Sequence, residues 1–96
     1  MKKLDLIIDN KEYKDIYIAE TFFERLKGLM FISKENSFSL LIKSCNSVHT
    51  CFMKFNIDVY CLDKNYKIIK TYKSLKPFRF IMPSSKTKHI LEIPSE

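Results

Sequence analysis

The residues best equipped for chemistry fall between positions 45 and 53. Cys45, Asn46, His49, Thr50, Cys51 and Met53 place thiols, an amide, an imidazole, a hydroxyl and a thioether in one short stretch. If 45–53 were one continuous strand, alternation would put Cys45, Ser47, His49, Cys51 and Met53 on one face. Thiolate, imidazole and thioether are soft ligands suited to Cu(I) or Zn. The spacing matches no Cys-x-x-Cys pair, however, and the plainer account packs Cys and Met as small hydrophobes. Cys45, His49, Cys51 and Met53 are thus weak metal candidates, and no metal or cofactor is expected. A nucleophilic pair of Cys51 with His49 is the enzyme version. Their Cα atoms would lie about 7 Å apart along a strand, which makes a direct hydrogen bond awkward.

Asp58 offers a second partner for His49. It interrupts the apolar run Ile57-Asp58-Val59 and would make an acid–base pair if it faced a cleft. Simple alternation, with Asp58 on the wet face, explains it as well. The same alternation covers Glu92 between Leu91 and Ile93, while Asp63 reads as a turn residue. A basic residue recurs at every third position through Lys64, Lys67, Lys70, Lys73, Lys76 and Arg79, with Tyr66, Tyr72 and Phe78 interleaved. Single-stranded nucleic-acid surfaces use this composition. A period of three fits neither face of a strand nor one face of a helix, so lysines snorkelling from a hairpin is the plainer account. Nucleic acid is therefore disfavoured as a partner, while contact with an anionic membrane surface stays open.

Short elements must hold these groups in place. Residues 4–8 and 13–18 read as a hairpin around the turn at 9–12. Thr21 with Glu24 fits a capping box, Arg25 and Lys27 favour the C-terminal pole, and Gly28 suits the C′ position. These signals predict a short helix over 21–27 and a positive φ at Gly28. Residues 38–43, 47–55 and 57–62 read as strands. Residues 67–72 pair back on 57–62 across the turn at 63–65. Residues 78–82, between Pro77 and Pro83, and 89–93 complete the set. The fold class is α+β and β-rich: a small antiparallel sheet, or a half-open barrel, of six to seven short strands with one short helix.

Composition narrows the field. The chain has 96 residues, 46% hydrophobic, 14% aromatic, and a single glycine. One glycine excludes both a Rossmann fingerprint and a Walker loop. The apolar and aromatic content excludes disorder, and the length sets a single domain over 1–96 with a radius of gyration of about 13 Å. The net charge of +6 comes from 15 Lys and 2 Arg. Arg is preferred for phosphate and base-edge contacts, so a lysine excess points only weakly to nucleic acid. No signal peptide is visible, because Asp5 falls where an apolar segment should begin. The longest uncharged run, 44–53, is too short and polar to span a bilayer. Three cysteines without export suit a reducing cytoplasm.

Several motifs line up in order. Ala19-Glu20-Thr21 leads into Glu24-Arg25-Leu26-Lys27-Gly28-Leu29-Met30. Cys45-Asn46-Ser47-Val48-His49-Thr50-Cys51-Phe52-Met53 and Ile57-Asp58-Val59-Tyr60-Cys61-Leu62-Asp63 come next. Lys76-Pro77-Phe78-Arg79 and His89-Ile90-Leu91-Glu92-Ile93-Pro94 follow. The series resembles the domain-of-unknown-function 192 family (DUF192) of small, mostly prokaryotic proteins, bacterial ones among them. The resemblance covers residues 16–94 and implies a β-rich fold with a short helix after the first hairpin. It implies no established activity, and a cell-envelope or secretion connection in some members. Cys51 and Cys61 stand where members often carry Phe, which opposes a family-wide thiol chemistry. Many members continue past the motif ending at Pro94, so an uncovered sheet edge open to a partner strand is expected. Arg25 and Glu92 resemble family positions and are expected to form a structural ion pair.

The sequence therefore favours a non-enzymatic binding or accessory module for a small molecule or protein segment. Its candidate site is Asn46, His49, Met53, Asp58 and Arg25, with Gly28, Thr21 and Glu24 as structural residues. A hydrolase-like or metal-dependent enzyme using His49 with Cys51 or Asp58 is the alternative, and an electrostatic binder through the 64–79 stripe is the third.

Overall fold

The computed structural model describes all of residues 1–96. Strand β1 (Lys2–Ile8) turns through Asp9 and Asn10 into β2 (Lys11–Ala19). Both turn residues have positive φ, as Asx residues tolerate. Helix α1 (Phe22–Lys27) and a 3₁₀ turn at Lys34–Asn36 then carry the chain over to β3 (Ser39–Ile42), parallel to β2. Next come β4 (Val48–His49), β5 (Ile57–Leu62), β6 (Ile68–Leu75), β7 (Phe80–Ile81) and β8 (His89–Pro94). Six strands form one sheet in the order β1-β2-β3-β8-β5-β6, and β4 pairs with β7 in a separate two-stranded sheet.

The β-rich class and the helix follow the sequence, with eight strands in place of six or seven. The sheet is mixed rather than purely antiparallel, because α1 makes a crossover between β2 and β3. It curls without closing. The Asp9 side chain accepts the Ile68 N–H at 3.1 Å, drawing the first hairpin towards β6. The expected strand over 47–55 is cut to two residues. Val48 and His49 pair with Ile81 and Phe80, and Thr50 then starts a turn in which Phe52 has a φ of 61°. The sheet edges are β1 and β6, while the C-terminal strand β8 lies between β3 and β5, paired on both sides.

Both faces of the sheet are covered. Leu40, Ile42, Ile57, Val59 and Ile90 pack on one side with Ala19, Leu29, Val48, Met53, Phe55 and Ile81. Ile8, Ile16, Ile18, Leu41, Tyr60, Leu62 and Leu91 pack on the other. Alternate residues of β8 therefore enter two different cores, and neither face of this strand is wet.

Candidate functional site

Helix α1 forms the first wall of the site. Thr21 caps it by accepting the Glu24 N–H at 3.1 Å, and the Glu24 carboxylate accepts the Thr21 and Glu20 N–H groups at 3.1 Å each. Those bonds hold the Glu24 carboxyl below its ordinary value. The helix buries none of its own residues, and Leu29, fully buried just beyond it, anchors its end. Gly28 stops the helix with φ 50° and ψ −124°, a backbone region that suits glycine. A Cβ at this position would stand 3.2 Å from Glu92 Oε1.

The β4–β7 pair forms the second wall and sets His49 opposite Phe80. Thr50 locks this pair to the loop ahead of β7. Fully buried, it donates its hydroxyl to the Lys76 carbonyl at 2.7 Å and accepts the Arg79 N–H at 2.7 Å. Its own N–H goes to the Arg79 carbonyl at 2.9 Å. The floor comes from β8, where Glu92 sits between Leu40 of β3 and Val59 of β5.

These walls enclose an open cavity of about 290 Å³. Phe22, Leu26 and Phe80 rim it, Ile42, Val48 and Met53 line it, and Arg25, Lys27, His49 and Glu92 supply its ionisable groups. Glu92 is the anomaly. Its side chain is fully buried, and neither carboxyl oxygen has a hydrogen-bond partner. Burial pushes its pKa up to about 8, so the carboxyl is mostly protonated at neutral pH. A buried polar group without a partner costs about 1–3 kcal/mol, so Glu92 opposes folding rather than supporting it.

Of the residues singled out in the sequence, Arg25, Cys45, His49 and Met53 reach this cavity. Thr21, Glu24 and Gly28 hold the helix that shapes it. Asp58 does not meet His49. It lines a separate groove with Tyr13, Tyr60 and Lys73, and it binds the Ser74 N–H at 2.9 Å, the Ser95 hydroxyl at 2.8 Å and Lys73 Nζ at 3.3 Å. Burial alone would raise the Asp58 pKa, but these bonds outweigh it and hold the carboxyl below its ordinary value. Asn46 is exposed on another shallow groove, beside Lys88 and His89. Cys51 meets His49 through its backbone N–H, which donates to His49 Nδ1 at 3.2 Å, and not as a nucleophile poised for a base. Arg25 and Glu92 form no ion pair, since the four ion pairs of the protein involve neither residue.

All three cysteines are free, and no three His, Cys, Asp or Glu side chains gather closely enough to hold a metal ion. The basic stripe is dispersed. Lys73 turns to Asp58 and Tyr60, Lys70 lies over Tyr72, and Tyr66 stacks on His89 with centroids 4.4 Å apart. Glu92, Lys27, Phe22, Leu26 and Phe80 line the cavity without standing out as site residues in the sequence. One signal was available: an acid breaking the run Ile90-Leu91-Glu92-Ile93, since strands covered on both faces read as near-continuous apolar segments.

The fold and cavity define a small β-rich domain with a ligand-sized opening between its helix and a two-stranded sheet. The DUF192 family model, described as "Uncharacterized ACR", matches residues 6–96, and the chain belongs to that family. A UPF0127 protein of Thermococcus sibiricus is 34% identical over 84 residues, covering 82% of this chain and 54% of the relative. One from Pyrococcus horikoshii is 31% identical, covering 83% and 72%. The chain thus spans about half the length of the Thermococcus relative. A crystal structure of a protein of unknown function from Novosphingobium aromaticivorans shares the fold, with a TM-score of 0.70 and 16% identity over 84% of this chain and 63% of that one.

Proposed function

We propose that this chain is a small-molecule-binding module whose site is the cavity between α1, β4–β7 and β8. Glu92 carries the proposal: a fully buried, unpartnered carboxyl in the wall of an open, largely apolar cavity. Nothing inside the protein compensates its desolvation, and ligand sites combine apolar walls with a few such polar groups. The ligand that suits these walls is a small organic anion with an apolar body. Phe22, Leu26, Phe80 and Met53 would take the body, and Arg25 and Lys27 the charge. Because Glu92 is mostly protonated at neutral pH, it would not repel that charge. Binding is favoured over catalysis because His49 receives a backbone N–H from Cys51, so no nucleophile–base pair is assembled. An envelope or secretion connection adds no residue to this site.

The test is an amide NMR titration of the whole chain with phenylacetate, benzoate and hexanoate at neutral pH. Saturable shifts clustered at Arg25, Gly28, His49 and Glu92 are expected, and Glu92→Ala should weaken them. Shifts scattered over the surface, or none with any of the three acids, would overturn the proposal.

A further inference from the structure

Beside the cavity lies a second feature that the small-ligand role does not use. Phe31, Phe52 and Phe78 form one exposed cluster, with ring centroids 5.3 Å and 5.7 Å apart. They are 61%, 53% and 62% exposed, and Phe80 and Met82 continue the patch along the chain at 61% and 73%. All three clustered phenylalanines have positive φ, which bulky residues rarely adopt. Their backbones are tied together: the Phe31 N–H donates to the Phe52 carbonyl, and the Phe78 N–H donates to the Thr50 carbonyl, each at 3.1 Å. The fold thus holds three apolar rings outward in an arrangement that hydrophobic burial opposes.

The segments that carry Phe52 and Phe78 hold charge of one sign. The segments carrying Phe52, Phe78, Phe80 and Met82 include Lys54, Lys76, Arg79, Lys86 and Lys88, and no Asp or Glu occurs in residues 44–57 or 64–91. The nearest acids in sequence are Glu24 and Glu35 on either side of Phe31 and Asp58 after Phe52; Glu24 is engaged in the capping box, and Asp58 is held by Lys73, Ser74 and Ser95. An apolar knob set among cations calls for a partner with a negatively charged surface and an apolar interior. Phe52 is stacked on Phe31 and packs T-shaped with Phe78, so the rings are not a free platform for bases.

We infer that this end of the molecule docks on an anionic lipid bilayer. Phe31, Phe52 and Phe78 enter the headgroup–acyl boundary, and Lys54, Lys76 and Arg79 pair with the lipid charge. Phe80 of this patch also lines the cavity, so its mouth adjoins the docking face. The docking does not depend on any ligand being bound there.

Vesicle flotation of the whole chain tests the inference, using phosphatidylcholine alone and phosphatidylcholine mixed with phosphatidylserine. Binding should be about tenfold or more tighter on the anionic vesicles and should weaken with salt. F52S/F78S and K54E/K76E should each lose about tenfold while keeping the wild-type circular dichroism spectrum. K11E/K14E, on the β1–β2 hairpin, makes the same charge change and should bind anionic vesicles within about twofold of wild type. Three results would overturn the inference: no vesicle binding at low salt, equal loss in K11E/K14E, or F52S/F78S abolishing self-association while vesicle binding is unchanged.

Discussion

Gly28 and Glu92 are coupled residues. Gly28 has a backbone conformation that suits glycine, and the space where a Cβ would stand lies 3.2 Å from the Glu92 carboxyl. Two penalties should therefore meet in Gly28→Ala: backbone strain of about 1–2 kcal/mol, and crowding against a carboxyl in a closed floor. Urea denaturation should show the variant destabilised by about that amount or more. In a Glu92→Leu background the crowding changes while the strain stays, so the two substitutions should be non-additive. Strict additivity would show that Gly28 serves only the helix end. The single glycine was legible in the sequence as a helix stop, because Thr21, Glu24, Arg25 and Lys27 frame it. Its contact with Glu92 was not, because 64 residues and a sheet register separate the two.

At the scale of elements, the capping box was readable because it is local: two side chains and three N–H groups within five residues. The first hairpin, β5–β6 and the final strand were readable for the same reason. The β4 region was not. Its residue types alternate like those of a strand, but a single buried hydroxyl decides its shape. Thr50 joins the carbonyl of Lys76 and the N–H of Arg79, and these are tertiary contacts that no window around position 50 contains. Thr50→Val keeps the volume and removes the hydroxyl, leaving two backbone groups without their partner. A loss of about 2–3 kcal/mol is expected in chemical denaturation. The ring-current shifts of Phe31, Phe52 and Phe78 should also shrink as the loops separate. A variant with wild-type stability and unchanged ring shifts would show that the β4–β7 ladder alone holds the loops. Glu92 was only partly legible, as an acid in an apolar run, for a different reason. Alternation gives the facing of β8 correctly, but only the topology shows that both of its faces are covered.

Among the groups with shifted pKa, Glu92, His89 and Asp58 make the whole molecule respond to pH with opposing signs. Glu92 has a folded pKa of about 8 against an ordinary value near 4.5. The folded state therefore holds more protons than the unfolded chain across that window, and stability falls as pH rises through it, by about 1.4 kcal/mol per unit. His89 has a lowered pKa, first because burial disfavours its charge and then because of Lys43. Its Nδ1 accepts the Ser44 N–H at 3.1 Å, which requires an unprotonated nitrogen. Its contribution is lost as pH falls below about 6.5, so it offsets Glu92 over part of the range. Asp58 has a lowered pKa, and its contribution is lost as pH falls below its ordinary value of 3.8. Below the folded pKa of His89 only the Glu92 slope remains, and it ends near 4.5. Together these place the stability maximum at about pH 4, between the ordinary values of Asp58 and Glu92, with a decline from there towards pH 8. A thermal-unfolding series from acid to mildly alkaline pH should trace that curve. In Glu92→Leu the alkaline decline should vanish, and the maximum should move above about pH 6.5, where His89 is neutral in both states. A wild-type protein with flat stability between pH 5 and 8 would mean that the Glu92 carboxyl finds a partner in solution, and the cavity would then lose the unpaired group that marks it as a site.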